Sequence, residues 1–172
     1  MAVSNISAEM RAAIGRKFRH STSFPVSASD IRKWAIAVYY PEPPPAVFWD
    51  EEEAGRGGHG GIVAPEDFNP FAWMTTAGPD DRSGGEPNDP DNTEHLLGIA
   101  GPGLKFQLNG GLEVEYGVPI RPGDVISTVS GVAEYRERQG RLGLMLFTVI
   151  EDVWTNQDEQ VVRRSRITLI RY

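Results

Sequence analysis

The last third of the 172-residue chain constrains the fold more than any other part. From Leu104 onward, apolar residues alternate with polar ones, and this period of two predicts half-buried β-strands. Turn residues at 121–124, 139–140 and 156–159 divide the stretch. We therefore expect the last three long strands to form an antiparallel meander, with a hairpin turn at 139–140.

The first third has a helical pattern instead. Ser27 to Asp30 resembles a helix-capping sequence, and apolar residues follow at helical spacing until Pro41. Shorter helices are expected over 8–14 and 50–54. Residues 75–103 are rich in Gly, Pro, Asp and Asn, which predicts an irregular insertion. Together these patterns predict one α+β domain over residues 1–172.

Composition excludes several functions. The net charge is −7, which argues against a broad surface for nucleic acid or anionic membranes. The chain has no cysteine, so a disulfide, a catalytic thiolate and a Cys-ligated zinc are all excluded. No stretch reaches 18 apolar residues, so we expect a soluble, cytoplasmic protein.

Individual motifs give little chemistry. Residues 55–60 match the dinucleotide pattern G-x-G-x-x-G, but no strand precedes them, which favours a plain glycine turn. His20, His59 and His95 lack metal-ligand spacing, so solvated or structural roles are expected and no metal site is predicted. Arg163, with Arg164 and Arg166, indicates either a solvent-exposed strand face or a small cationic patch for a phosphate.

Seven short strings carry a family resemblance. They are, in chain order, IGRKF at 14–18, VSASDIRKWA at 26–35, WDEEEA at 49–54, GGIVAP at 60–65, LNGG at 108–111, PIRPGD at 119–124 and RITLI at 166–170. In this order the chain resembles the N-terminal MaoC-like dehydratase domain, also called the FAS1-like dehydratase domain.

The resemblance implies a hot-dog fold, in which a long antiparallel sheet wraps around a central helix. It also implies hydration of trans-2-enoyl thioesters, or dehydration of (R)-3-hydroxyacyl thioesters, carried on CoA or acyl carrier protein. No metal or redox cofactor is implied, since the acyl-CoA thioester is the substrate. Hot-dog domains pair through their sheets, so a second hot-dog subunit is expected.

Catalytic members of the family carry an Asp followed five residues later by a His. In this chain Tyr40 stands at the Asp position and about Phe48 at the His position. Neither side chain is a base at neutral pH, and Glu42 is a weak alternative. The resemblance therefore implies no catalytic residue here, and a non-catalytic subunit of a hetero-oligomeric hydratase whose partner supplies the Asp/His dyad.

The resemblance also implies where the acyl thioester binds. The expected substrate-binding residues are Gly61, Ile62, Val63, Ala64, Phe68, Trp73, Asn109 and Gly110. The central helix should continue after Pro65, but its apolar periodicity ends at Met74. A shortened helix would leave room for a bulky, steroid-like acyl group rather than a straight fatty chain. An insertion over a helix of normal length is the alternative.

Three other functions remain open. The first is a self-sufficient homodimeric hydratase using Glu42 or another displaced carboxylate. The second is a non-enzymatic acyl-thioester binding module. The third is a hot-dog thioesterase using Glu66 or Asp67. On charge alone, Arg121 and the strand at 163–166 are candidates for contacts to the CoA phosphates.

Overall fold

One five-stranded antiparallel sheet organises the protein. The computed structural model describes residues 4–74 and 89–172. The strands are β1 Lys17–Thr22, β2 Gln107–Tyr116, β3 Ser127–Gly140, β4 Gly143–Thr155 and β5 Val161–Arg171. Their order across the sheet is β1-β3-β4-β5-β2, so the meander β3-β4-β5 occupies the centre, as the alternating pattern predicts.

The hairpin turn lies two residues later than predicted. Gly140 pairs with Gly143, so the loop between β3 and β4 consists of residues 141–142 rather than 139–140. Gly143 has a φ of 106°, a conformation that favours glycine. β3 is one continuous strand and accommodates a bulge between Val132 and Glu134.

Short helices precede and cover the sheet. They are α1 Ala8–Ala13, α2 Ala28–Tyr39, α3 Glu51–Arg56 and α4 Asn92–Leu96, with a 3₁₀ turn at Ala46–Phe48. The Ser27 hydroxyl accepts a hydrogen bond from the Asp30 N–H, which confirms the predicted cap of α2. No helix in residues 4–74 or 89–172 is long and apolar enough to cross a lipid bilayer.

The helix expected after Pro65 does not form in the described part of the chain. Residues 66–74 make successive turns, because Pro70 disfavours the helical conformation at Asn69. The Asn69 side chain instead accepts a hydrogen bond from the Phe71 N–H at 3.0 Å. The predicted irregular insertion contains the five-residue helix α4, and its residues 75–88 lie outside the described ranges.

The two outer strands of the sheet differ in length and in the side chains that they expose. β1 is short and presents exposed polar residues, including Lys17, Arg19 and His20. β2 is longer and exposes large apolar side chains, with Leu108 and Leu112 both more than half exposed. An exposed apolar edge strand is a surface suited to pairing with another strand.

The hydrophobic core has two parts. One packs α2 and α3 against the 62–68 segment and the start of β5, and includes the fully buried Ile31, Ala54 and Ile126. The other packs α1 and the residue after α4 against β3 and β4, through Met10, Leu97 and Leu146 among others.

A buried ionic cluster fixes α4 to the sheet. The Arg171 guanidinium donates to both Glu94 carboxylate oxygens, at 2.6 and 2.8 Å, and to the Thr148 hydroxyl at 2.7 Å. The Tyr135 hydroxyl donates to Glu94 at 2.7 Å. Arg171, Glu94 and Thr148 are all fully buried. Since each charge lies in a low-dielectric surrounding, each depends on its partners for stabilisation.

Removing one charge of this cluster should destabilise the fold. Glu94→Gln leaves the buried Arg171 without its main counter-charge, and we expect a loss of about 3 to 5 kcal/mol in the free energy of unfolding, measured by urea denaturation. Glu52→Gln is the matched control, because Glu52 forms an exposed pair with Arg56 and its loss should cost less than about 1 kcal/mol. Equal effects of the two substitutions would contradict the structural role of Glu94.

Stability should fall at alkaline pH because of Tyr135. Burial, and then the hydrogen bond to Glu94, raise the pKa of Tyr135 far above its ordinary value of 10.0. The folded state thus keeps a proton that the unfolded state releases, so this contribution is complete below pH 10 and is lost above it. We expect the free energy of unfolding to decline more steeply above pH 10 in the native chain than in Tyr135→Phe. Parallel pH profiles of the two proteins would contradict this.

Candidate functional site

A cavity of about 740 Å³ lies between the helical segments and one end of the sheet. Its walls come from the end of α2, the 3₁₀ turn, the 59–67 segment, the chain after β2, and the facing ends of β4 and β5. The described residues that line it are Val38, Tyr39, Val47, Phe48, His59, Val63, Ala64, Pro65, Glu66, Asp67, Tyr116, Gly117, Val118, Pro119, Ile120, Trp154, Val162 and Arg163. Most of these side chains are apolar, as in small-molecule sites generally.

Backbone hydrogen bonds hold the 62–64 segment in the cavity wall. The Val63 N–H donates to the Val47 carbonyl at 3.4 Å, and the Ala64 N–H donates to the Ile120 carbonyl at 2.8 Å. The segment therefore joins two opposite walls. Sequence reasoning placed residues 61–64 at the substrate, and of these Val63 and Ala64 line the cavity. The Ile62 N–H donates to Glu51 at 3.2 Å, so this backbone group is already paired.

The positions of the family's dyad are separated in this structure. Phe48 lines the cavity, and its ring centroid lies 5.9 Å from that of Tyr39. Tyr40, at the expected Asp position, is 80% exposed and does not line the cavity. Glu42 is also exposed and is not among the lining residues. Of the two positions that the resemblance assigns to the dyad, only Phe48 therefore faces the cavity.

Three exposed residues of the cavity wall carry an imidazole or a carboxylate. They are His59, Glu66 and Asp67. Asp67 accepts a long hydrogen bond, 3.4 Å, from the indole N–H of Trp34. The sequence predicted a solvated or structural role for His59 and gave no indication that this residue lines the cavity. Its position is fixed in part by Arg121, whose guanidinium donates to the His59 carbonyl at 2.6 Å.

Arg163 lies on a different face of the sheet from Arg164 and Arg166, its neighbours in sequence. Residues paired across adjacent strands share a face of the sheet, so Arg163 lies on the face of Trp154 and Tyr116. Arg166 lies on the opposite face and pairs with Glu151 at 3.3 Å. Strand alternation therefore divides these residues: Arg164 and Arg166 share the exposed face, and Arg163 alone lies on the side of the cavity.

The other predicted binding residues lie elsewhere. Phe68 is buried in the core, where its ring meets that of Trp34 edge-on, and with Trp73 it lines a separate cavity of about 110 Å³. Asn109 and Gly110 lie at the bulge of β2, outside the lining of the large cavity. A Cβ at Gly110 would lie 2.8 Å from the Ile170 side chain, so close packing alone accounts for this glycine.

Sequence reasoning missed the wall formed by residues 116–120. The signal for it was Gly117, where a Cβ would lie 1.9 Å from the Val161 carbonyl oxygen, so only glycine allows this close approach of β5. The Gly117 N–H donates to the Val162 carbonyl at 3.0 Å, which holds the segment against the strand. For Trp154 and Val162 the sequence indicated a position in a strand but not a position in the cavity wall.

Solved structures with the same fold share most of the chain. A chain of the ChsH1-ChsH2 complex from Mycobacterium tuberculosis has a TM-score of 0.65 and 23% sequence identity, with 96% of this chain and 88% of that one covered. A chain of the HadBC (3R-hydroxyacyl-ACP dehydratase) complex from the same organism has a TM-score of 0.56 and 19% identity, with 89% and 96% covered.

A MaoC-like dehydratase from Rhodospirillum rubrum has a TM-score of 0.53 and 22% identity, with 90% of each chain covered. Together these likenesses establish the hot-dog fold that the resemblance predicted.

The family assignment comes from the sequence itself. A comparison with curated proteins finds no match. Residues 12–165, however, match the FAS1-like dehydratase domain region, which spans both walls of the cavity and all five strands up to Ser165. The chain therefore belongs to the FAS1-like dehydratase domain family.

Proposed function

We propose that this chain is the non-catalytic, pocket-forming subunit of a heteromeric enoyl-CoA hydratase or (R)-3-hydroxyacyl-thioester dehydratase. The observation that carries the proposal is the large, mostly apolar cavity combined with Tyr40 and Phe48 at the dyad positions. An aromatic ring offers no proton acceptor for activating water. This chain would bind the acyl thioester, and a partner's carboxylate and imidazole would activate the water.

The size of the cavity supports a bulky acyl group. A cavity of about 740 Å³ falls within the range of sites that enclose ligands of drug size. No helix forms over residues 66–74, and the first two residues of this segment, Glu66 and Asp67, line the cavity. We therefore favour a polycyclic, steroid-like acyl-CoA or a long fatty acyl-CoA, with no metal or redox cofactor.

The exposed edge of the sheet supports a protein partner. Tyr116 lines the cavity and also lies on β2, an outer strand with exposed apolar residues. A partner that pairs with β2 would cover these residues and reach the side of the cavity at Tyr116. The similarity to chains of two heteromeric complexes, ChsH1-ChsH2 and HadBC, supports a second hot-dog subunit in that place.

Enoyl-CoA hydration should require two chains. We expect no activity from the purified chain and measurable activity after co-expression with a hot-dog protein that carries the dyad. The assay measures hydration as the loss of enoyl absorbance in the ultraviolet. Substituting the partner's dyad should abolish this activity, while Glu42→Gln in this chain should leave it unchanged. Hydration by this chain alone, lost in Glu42→Gln, would contradict the proposal and identify a self-sufficient enzyme.

A second candidate function is thioester hydrolysis by this chain alone. The observation that favours it is the presence of Glu66, Asp67 and His59 in one cavity wall. A carboxylate there could activate water or attack the thioester carbon.

Release of free CoA, followed with a thiol reagent, tests this second function. Hydrolysis by the purified chain that falls at least tenfold in Glu66→Gln or Asp67→Asn would establish it. The proposal of a non-catalytic subunit predicts no thiol release above the rate without protein, whereas a thioesterase would keep its full activity in the exposed control variant Glu52→Gln.

A further inference from the structure

Arg163 is the one strong cation among the described residues that line the cavity. It lies near the start of β5, in a row that crosses three strands, with Trp154 of β4 on one side and Tyr116 of β2 on the other. Its guanidinium carbon lies 4.7 Å from the centroid of the Trp154 ring. This stacking orients the guanidinium and leaves its in-plane N–H groups available to an acceptor.

The guanidinium of Arg163 lacks a polar partner within the described residues. Its Nε is buried and has no hydrogen-bond acceptor, which is also true of the Nε of Arg171, but the terminal nitrogens of Arg163 have no acceptor either among the described residues. Three other described arginines form ion pairs: Arg56 with Glu52 and Glu53, Arg166 with Glu151, and Arg171 with Glu94. No carboxylate of residues 4–74 and 89–172 lies within ion-pair distance of Arg163. A partly buried charge without a counter-charge is costly, so a bound ligand that supplies one gains affinity.

The acidic residues of the cavity do not replace that counter-charge. Glu66 and Asp67 are exposed, and they belong to the segment after Ala64, whereas Arg163 is only partly exposed and belongs to the sheet. Solvent screens the field of exposed carboxylates at short range. Neither carboxylate lies within ion-pair distance of Arg163, and most of the other lining residues are apolar.

We infer that Arg163 selects acyl thioesters whose acyl group carries a carboxylate. This inference rests on the proposed function, because it names the substrate class of the same cavity. A carboxylate is planar and can accept two hydrogen bonds from one guanidinium, and this charge-assisted geometry is stronger than a bond to a neutral oxygen. The apolar walls would hold the hydrocarbon part of the acyl group while Arg163 binds its charged end.

Two CoA thioesters of equal chain length test this inference. Octanoyl-CoA and suberyl-CoA differ only in the terminal carboxylate, and their dissociation constants for the purified chain can be measured by isothermal titration calorimetry. We expect suberyl-CoA to bind at least tenfold more tightly. Arg163→Gln should bring the ratio of the two dissociation constants close to one, and this ratio cancels any change that the substitution makes in the wall that both thioesters contact.

Two further variants separate charge from geometry. Arg163→Lys keeps the charge but loses the planar pair of donors, so we expect it to retain only part of the preference. Arg164→Gln is the matched control, since Arg164 neighbours Arg163 in sequence but lies on the opposite face of the sheet and is exposed. It should keep the full preference for suberyl-CoA.

The outcomes are distinguishable. Equal binding of the two thioesters by the native chain would overturn the inference and leave the proposed function intact. A preference that persists in Arg163→Gln would also overturn it. If Arg163→Gln weakens the binding of free CoA as much as the binding of suberyl-CoA, the arginine contacts a phosphate of CoA, and the inference is wrong. Failure of every thioester to bind would overturn the proposed function and this inference with it.

Discussion

The buried ion pair between Arg171 and Glu94 is the interaction on which the arrangement of the middle of the chain depends. It joins two residues 77 positions apart and ties the five-residue helix α4 to the end of β5. A helix this short has little stability of its own. Tyr135 and Thr148 complete the hydrogen bonding, so the cluster holds α4 on the sheet at a position that apolar packing alone would leave poorly specified.

β5 links this cluster to the cavity. Arg163 and Arg171 are eight residues apart on one strand, so both side chains lie on the same face of the sheet. At one end Arg171 is fully buried and its terminal nitrogens donate to Glu94 and Thr148. At the other end Arg163 lines an open cavity and its guanidinium has no acceptor among the described residues. The same residue type therefore stabilises the fold at one end and is available to a ligand at the other.

Local rules predicted the local structure. The caps at Ser27 and the alternation in the last third depend on neighbours in sequence, and the structure confirms the helix and the meander. The helix that the family resemblance predicted after Pro65 does not form, because Pro70 disfavours the helical conformation at Asn69. The ionic cluster and the membership of His59 in the cavity wall could not be predicted, since both depend on contacts between distant segments.

The unequal edges of the sheet limit how copies or partners can assemble. A sheet with two similar open edges can add strands at both sides and grow without end. Here β1 offers a short edge with Lys17, Arg19 and His20, while β2 offers a longer one with apolar side chains. Association through β2 would cover the edge that is suited to strand pairing. Growth along the sheet would therefore terminate at two subunits, and the geometry favours a closed pair over a fibre.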